Sequence, residues 1–305
     1  MNKKFVPAYI NTDLKTLSEQ ATKFLSKCEI CPRKCRINRL KGELGHCNTG
    51  KYAIVSSFGP HFGEEPELVG QCGSGTIFFG YCNLNCLFCQ NYDISQLGYG
   101  TVVSANELAE IMLKLQNMGC HNINLVSPTH IVPQFLQALA IAKEKGLNLP
   151  IIYNSGGYDS VEILKLLSGV IDIYMPDAKY GSNEIGQKYS NIKNYWDINQ
   201  LALKEMWRQV GDLKINDEGI AEHGLLIRHL VLPNHLDSSF EVLKFIAEEI
   251  STNTYVNIMN QYHPCYQADK IPELSRRITL SEYQTVLNFA KQLGLRRYYS
   301  KYQLF

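Results

Sequence analysis

Ten cysteines stand along the chain, and seven of them fall in two tight groups. The more C-terminal group lies in Tyr81-Cys-Asn-Leu-Asn-Cys-Leu-Phe-Cys-Gln90, which places Cys82, Cys86 and Cys89 at i, i+4 and i+7 directly after an apolar run. Soft thiolates suit iron–sulfur clusters, and three of them hold three irons of a [4Fe–4S] cube. The local pattern offers no fourth cysteine, so one iron is left for a non-protein ligand. An open coordination position marks a catalytic centre in the same sense that it separates catalytic from structural zinc. The competing readings are a zinc ion that borrows a distant fourth ligand, and buried free thiols.

The second group is Cys28, Cys31, Cys35 and Cys47. These four complete a ligand set on their own, so the site they form is closed. Their segment is polar and short of core residues, and a metal would staple a piece too small to fold on apolar burial. Zinc, an auxiliary iron–sulfur cluster and unligated thiols all remain open. Arg33, Lys34, Arg36, Arg39 and Lys41 lie among these thiols, either to offset their charge, to meet an acidic partner or simply to be solvated. Cys72, Cys120 and Cys265 are isolated and read as ordinary small buried residues or unligated thiols.

The elements that position these groups follow from pattern. The chain has 305 residues, 45% of them hydrophobic and 19% charged, an ordinary globular composition. Lys+Arg number 30 against 29 Asp+Glu, and that balance argues against nucleic acid as a partner. No apolar run reaches the roughly 20 residues of a membrane helix. With clustered cysteines and no secretory pattern, the expectation is a cytoplasmic protein that keeps away from membranes. Residues 12–26 carry a helical stripe, and 1–73 is expected to be a helix plus a Cys-rich metal-binding extension. Within 74–305, β-rich runs at Thr76–Gly80, Ile123–Val126, Pro150–Asn154, Val170–Met175, Leu225–Leu232 and Thr254–Met259 alternate with helical patterns near 105–118, 133–145, 160–168, 197–210, 238–250 and 280–293. Ser104/Glu107 and Thr279/Glu282 have capping-box spacing, Asp159/Glu162 a looser version of it, and Gly294 reads as a helix stop. Six βα units predict an α/β fold, an open parallel (β/α)6 partial TIM barrel.

In such a barrel, ligands gather at the C-terminal ends of the strands. The residues found there are Cys82, Cys86 and Cys89 after strand one, Ser127-Pro-Thr-His130 after strand two, and Asn154-Ser-Gly-Gly157 after strand three. Asp177 and Lys179 follow strand four, and Gln261-Tyr-His263 follows strand six. His130 and His229 read as structural histidines. The stretch 194–211 carries a partly helical stripe that suits packing on the barrel, with Trp207, Arg208 and Gln209 as residues that would otherwise face substrate.

CxxxCxxC with Phe88 before the last cysteine resembles the cluster loop of the radical S-adenosylmethionine (SAM) superfamily. The resemblance runs over roughly 74–265 and is nearest to the pyruvate formate-lyase activating enzyme and relatives with an N-terminal cysteine cluster. It implies that SAM chelates the unique iron, and that one electron from the cluster cleaves the sulfonium to methionine and a 5′-deoxyadenosyl radical that abstracts hydrogen. Met175-Pro-Asp-Ala-Lys179 is similar to the M-x-D-x-K of the activating enzymes, which lies beside SAM and a monovalent-cation site; the resemblance gives Asp177 and Lys179 that role. Asn154 stands where those enzymes commonly carry Asp for the cation. Arg228 matches an arginine that contacts SAM, and His263 a histidine near the adenosine. Ser127 and Thr129 stand where the family often has Gly-Gly-Glu binding the SAM amino group, a departure that leaves backbone carbonyls to accept from it.

The function expected is therefore a radical SAM enzyme acting on an unidentified substrate. A low-potential donor such as flavodoxin or ferredoxin would supply its electron. The narrower alternative is an activase that installs a glycyl radical on a partner protein, and an alternative of another class is an iron–sulfur electron carrier or scaffold.

Overall fold

The structure is a computed structural model that describes residues 5–295 and the backbone of 297–299. Helix α1 (Leu14–Lys23) opens the chain, its first turn capped by the Asp13 carboxylate on the Thr16 amide. Past the first cysteine group come β1 (Ala53–His61), a single turn α2 (Pro66–Val69) and β2 (Ser74–Phe79). The three-cysteine loop leads through the short α3 (Tyr92–Ser95) to β3 (Thr101–Val103). Strands and helices then alternate: α4 (Ala105–Asn117), β4 (Ile123–Val126), α5 (Val132–Glu144), β5 (Ile151–Ser155), α6 (Val161–Leu166) and β6 (Ile173–Pro176). Next are α7 (Asn183–Ser190), α8 (Tyr195–Val210), β7 (Lys214–Ile215), β8 (Ala221–Leu230), α9 (Leu236–Phe245), β9 (Tyr255–Met259), α10 (Leu280–Gln292) and β10 (Arg297–Tyr299).

The sheet runs β10-β9-β8-β6-β5-β4-β2-β1-β3. Every pair from β2 to β10 along that path is parallel, while β1 is antiparallel to both β2 and β3. Its two end strands, β10 and β3, have no sheet partner in common, so the barrel is open as the βα count predicts. The central strands are near-continuous apolar runs because both of their faces are covered. Leu125, Ile151, Tyr153, Tyr174, Leu225 and Ile227 face the helical layer, and Ile152, Ile173, Met175 and Leu226 face the barrel interior.

Two features depart from the sequence expectation. The stretch before Gly75, read as Gly/Pro-rich connection, contains β1 and α2, and Leu68 of α2 inserts into the interior against Ile152, Ile173, Met175 and Leu226. The expected boundary at residue 73 thus falls between two hydrogen-bonded strands, and Tyr9, Leu14, Ala21, Leu25, Cys28 and Ile30 belong to the main core. Both full capping boxes form, at Ser104/Glu107 and Thr279/Glu282. Asp159 does not cap. Ser160 occupies the N-cap of α6, and Asp159 is buried with three hydroxyls around it, from Thr129 (2.6 Å), Tyr153 (2.9 Å) and Ser155 (2.6 Å).

Candidate active site

Tyr81, two residues past the end of β2, lies in the left-handed region (φ +63°), a conformation a bulky residue seldom holds unless its surroundings fix it. Its amide donates to the Ile94 carbonyl at 2.9 Å, and its ring lies where any side chain on Gly98 would stand. That turn throws the cysteine loop across the C-terminal ends of the strands. Phe88 pins the loop, edge-on to Tyr180 and Tyr262. The Leu87 amide donates to the Tyr189 carbonyl and the Gln267 amide to the Leu87 carbonyl, both at 2.9 Å. Each sulfur has a polar neighbour: the Leu84 amide to Cys82 (3.4 Å), the Ser190 hydroxyl to Cys86 (3.0 Å) and Ser95 Oγ beside Cys89 (3.0 Å). Burial pushes the Cys82 thiol up to about 12 and also raises that of Cys89, where the nearby Cys86 sulfur adds to the effect. Metal binding must displace those protons, so loading is favoured as pH rises.

All three cysteines line one cavity of about 420 Å³, a size ordinary for small-molecule sites. No other cysteine is among its lining residues. Ser127, Asn154, Asp177, Lys179 and Arg228 share its walls with the cysteines. Lys179 Nζ lies 2.5 Å from Asp177 Oδ2. Burial is the largest single effect and acts to lower the Lys179 pKa, but Asp177, Cys86 and Tyr195 together outweigh it, so the ammonium is held above its ordinary value.

The start of α8 builds this wall. The Tyr195 hydroxyl takes the Lys179 amide (3.0 Å) and donates to the Gly156 carbonyl (2.9 Å). Asn199 Nδ2 donates to the carbonyls of Gly157 (2.9 Å) and Asp177 (3.0 Å). The turn needs a glycine at 157, because φ is +74° and a Cβ would stand 2.0 Å from the Asp177 carbonyl. Trp207, Arg208 and Gln209 are occupied away from the cavity, bonded to Asp212, Glu205 and Leu164 respectively. Segment 194–211 therefore packs as expected, and its first turn positions site residues that sequence spacing did not single out.

Three expected ligand contacts come out differently. Thr129 is buried away from the cavity, its hydroxyl committed to Asp159. His263 sits at the rim, Nδ1 3.2 Å from both Gln90 Nε2 and the Gln261 carbonyl, and it is these two neighbours that line the cavity. Arg228 does reach the cavity, but its guanidinium is taken up by Glu64 and by Glu65, at 2.9 Å from Nε and 2.5 Å from Nη2. Asn257 Nδ2 adds a 2.5 Å bond to Glu65. Burial works to lower the arginine's pKa and to raise Glu65's; their mutual attraction wins in both, holding Arg228 up and Glu65 down. Both glutamates line the cavity and were missed in the sequence. The signal was Glu65-Pro66, a proline at the first helical position after a β-region residue. His130 and His229 are buried structural residues, as read: His130 meets the Gly80 carbonyl (3.0 Å), and His229 bridges the Ala178 carbonyl (2.7 Å) and Ser239 Oγ (2.8 Å).

The first cysteine group also converges. Cys28, Cys31, Cys35 and Cys47 line a small closed cavity together with Arg39. Of the three isolated cysteines, Cys120 is buried, Cys265 half-buried and Cys72 exposed.

An open parallel barrel with three thiols of one loop over the ends of its strands defines a class, and residues 76–244 match the radical SAM superfamily. The chain belongs to that superfamily. It is 36% identical over 298 residues to the uncharacterized protein MJ0674 of Methanocaldococcus jannaschii, covering 94% of this chain and 81% of that one. A second protein of the same organism, MJ0808, is 24% identical over 292 residues, covering 84% and 78%. Among solved structures, methylornithine synthase (PylB) superposes with a TM-score of 0.48 at 17% identity, covering 72% of this chain and 61% of that one. Streptococcus suis SuiB bound to precursor peptide SuiA gives 0.47 at 13% identity, covering 70% and 43%. The chain therefore spans less than two thirds of these solved proteins. No helix among the described residues is long and apolar enough to cross a membrane.

Proposed function

We propose that this cavity binds SAM beside a [4Fe–4S] cluster held by Cys82, Cys86 and Cys89, and that the enzyme starts hydrogen abstraction from an organic substrate in the same chamber. The observation that carries the reading is the set of three thiols, with no fourth, facing a chamber walled on the other side by Asp177, Lys179 and Asn154. The residues fit the group: the sulfurs already have N–H or O–H neighbours, and the donor set is all thiol. When bound, the cluster supplies one electron that cleaves SAM to methionine and a 5′-deoxyadenosyl radical.

The chain's own groups bind, orient and shield. Asp177 and Asn154 offer acceptors to the ammonium and hydroxyls of SAM, and the Ser127 carbonyl region stands beside them. Lys179 holds the Asp177 carboxylate in place through their ion pair, and no monovalent cation enters the reading. Leu84, Phe79, Ile94 and Leu230 give the chamber an apolar wall that excludes water. The electron comes from a low-potential donor such as flavodoxin or ferredoxin, in a cytoplasmic setting. The hydrogen comes from a small molecule or from a protein segment that reaches the chamber, activation of a glycyl-radical partner being one case of the latter. An electron carrier or scaffold would have no use for the chamber.

The test is anaerobic reconstitution, reduction with dithionite and addition of SAM, with 5′-deoxyadenosine measured by chromatography. Formation is expected from the wild type and from none of Cys82→Ala, Cys86→Ala or Cys89→Ala. Undiminished product from any of the three variants refutes the assignment.

A further inference from the structure

We propose that Cys28, Cys31, Cys35 and Cys47 are the four ligands of a second iron–sulfur centre, a closed [4Fe–4S] cube, with Arg39 as its buried counter-charge. The four thiols line one cavity with Ile30, Ile37 and Gly45. The backbone is bent to bring them there. Cys28 exchanges two backbone bonds with the 36–37 segment, Cys28 N–H to Ile37 O and Arg36 N–H to Cys28 O, both at 2.8 Å. Lys34, Arg36 and Asn48, each next to one of the cysteines, all take positive φ. Gly45 closes the far side, where a Cβ would come to 3.0 Å from Cys35 Sγ.

Arg39 is the observation that calls for a ligand. It is 1% exposed and lines the cavity. Nε donates to the Gly50 carbonyl (3.0 Å) and Nη1 to the His130 carbonyl (2.8 Å), with Cys28 Sγ at 4.0 Å. Nη2 is buried with no partner, and no carboxylate pairs with this guanidinium among the described residues. A buried cation without an anion is strongly disfavoured. Four thiolates around a metal core supply the missing negative charge, and a core sulfide supplies an acceptor for Nη2.

Size separates a cube from zinc. A zinc ion holds each sulfur at about 2.3 Å, which leaves no open space between four of them. Here about 10 Å³ between the thiols stays open to the centre of a water-sized sphere, so they stand farther apart than a single zinc would hold them. No group of three or more His, Cys, Asp or Glu among the described residues is drawn together for a single ion. The three loop cysteines, which share that trait, are ligands of a cube in the reading above.

The two centres would be neighbours. Arg33 Nε donates to the Asn83 carbonyl at 2.6 Å. Asn83 lines the closed cavity, while Cys82 and Leu84 on either side of it line the larger one.

The test uses the full chain carrying Cys82→Ala, Cys86→Ala and Cys89→Ala, reconstituted anaerobically beside the wild type. The expected result is about four iron and four sulfide per chain in the triple variant and about eight of each in the wild type. On dithionite reduction the triple variant gives a paramagnetic signal that SAM leaves unchanged, and adding Cys28→Ser and Cys31→Ser removes its iron. Arg39→Gln keeps the iron but shifts the reduction midpoint to lower potential, because a positive charge that favours the reduced cube is gone. One zinc per chain in the triple variant with little iron overturns the proposal, as does absence of both metals. If the triple variant does not fold, the wild-type count decides: four iron per chain overturns the proposal and eight sustains it.

Discussion

Arg228 is the residue whose removal the structure makes most informative. Its side chain is 14% exposed and meets two glutamates, Glu64 and Glu65, with side chains at 7% and 1%. One guanidinium therefore holds two nearly dry carboxylates. Arg228→Met keeps much of the volume and takes the guanidinium from both carboxylates, leaving Glu65 with Asn257 and Glu64 with His61 Nδ1 at 3.1 Å. Breaking a buried pair this way costs about 3–5 kcal/mol. At roughly 2–4 °C per kcal/mol for a chain somewhat smaller than this one, melting should fall by about 10 °C.

The pH dependence should also invert. In the wild type burial raises the Glu65 pKa, but Arg228 overrides it and the net shift is downward. A depressed carboxylate contributes stability that is present above its unfolded value and is lost as pH falls through the folded one. With the arginine gone, burial is opposed only by the weaker bonds from Asn257 and the backbone, the folded pKa rises, and stability is instead lost as pH increases through it. Thermal melts monitored by circular dichroism at about pH 5 and about pH 8 should rank the variant as more stable at the lower pH. Adding Glu65→Gln to Arg228→Met should recover part of the loss. A fall of under about 2 °C, or no change in the sign of the slope, would show that water already reaches the carboxylates and would refute the reasoning.

Two other perturbations test the site and its supports. Asp177→Asn should leave iron content intact and weaken SAM binding about 10-fold or more, since hydrogen bonds to charged groups contribute about 1.5–3 kcal/mol; equilibrium dialysis of the reconstituted variant measures it, and iron loss at unchanged affinity would contradict the assigned role. His130 and His229 are pushed down to about 4, mainly by burial. Their neutral forms therefore contribute stability above the ordinary histidine pKa that disappears as pH falls from there through about 4, up to about 3 kcal/mol each. His229→Gln should flatten the acid limb of a melting-temperature profile, and an unaltered limb would place that loss of stability elsewhere.

What could be read from the sequence and what could not divide along a physical line. Cys82, Cys86 and Cys89 announce themselves because their ligand geometry is carried by spacing within one loop. Six of the seven parallel strands were visible as short apolar runs, β10 being the exception, and Ser104/Glu107 as a local cap. Asp159 shows the opposite case. Its spacing to Glu162 imitates a cap, yet its partners Thr129 and Tyr153 lie on other segments, and no local pattern encodes three hydroxyls arriving together. Glu64 and Glu65 were hidden for the same reason: an acidic pair among glycines and a proline looks like solvated connection until β1 pairs with β2 and carries it beneath Arg228. Tyr195 and Asn199 act through backbone carbonyls across the barrel, which leaves no trace in their own neighbourhood.

The insertion of α2 has a consequence for traffic. Below the cysteine loop the chamber is floored by Glu65, and beneath that by Leu68, which has no solvent exposure at all. A chamber stopped at its lower end works as a cul-de-sac rather than a tunnel. Whatever occupies the deep position has to arrive first and depart last, so a bulky second reactant at the mouth would trap the one behind it. Steady-state kinetics would register this as compulsory order of addition, with the outer reactant slowing release of the inner one when present in excess.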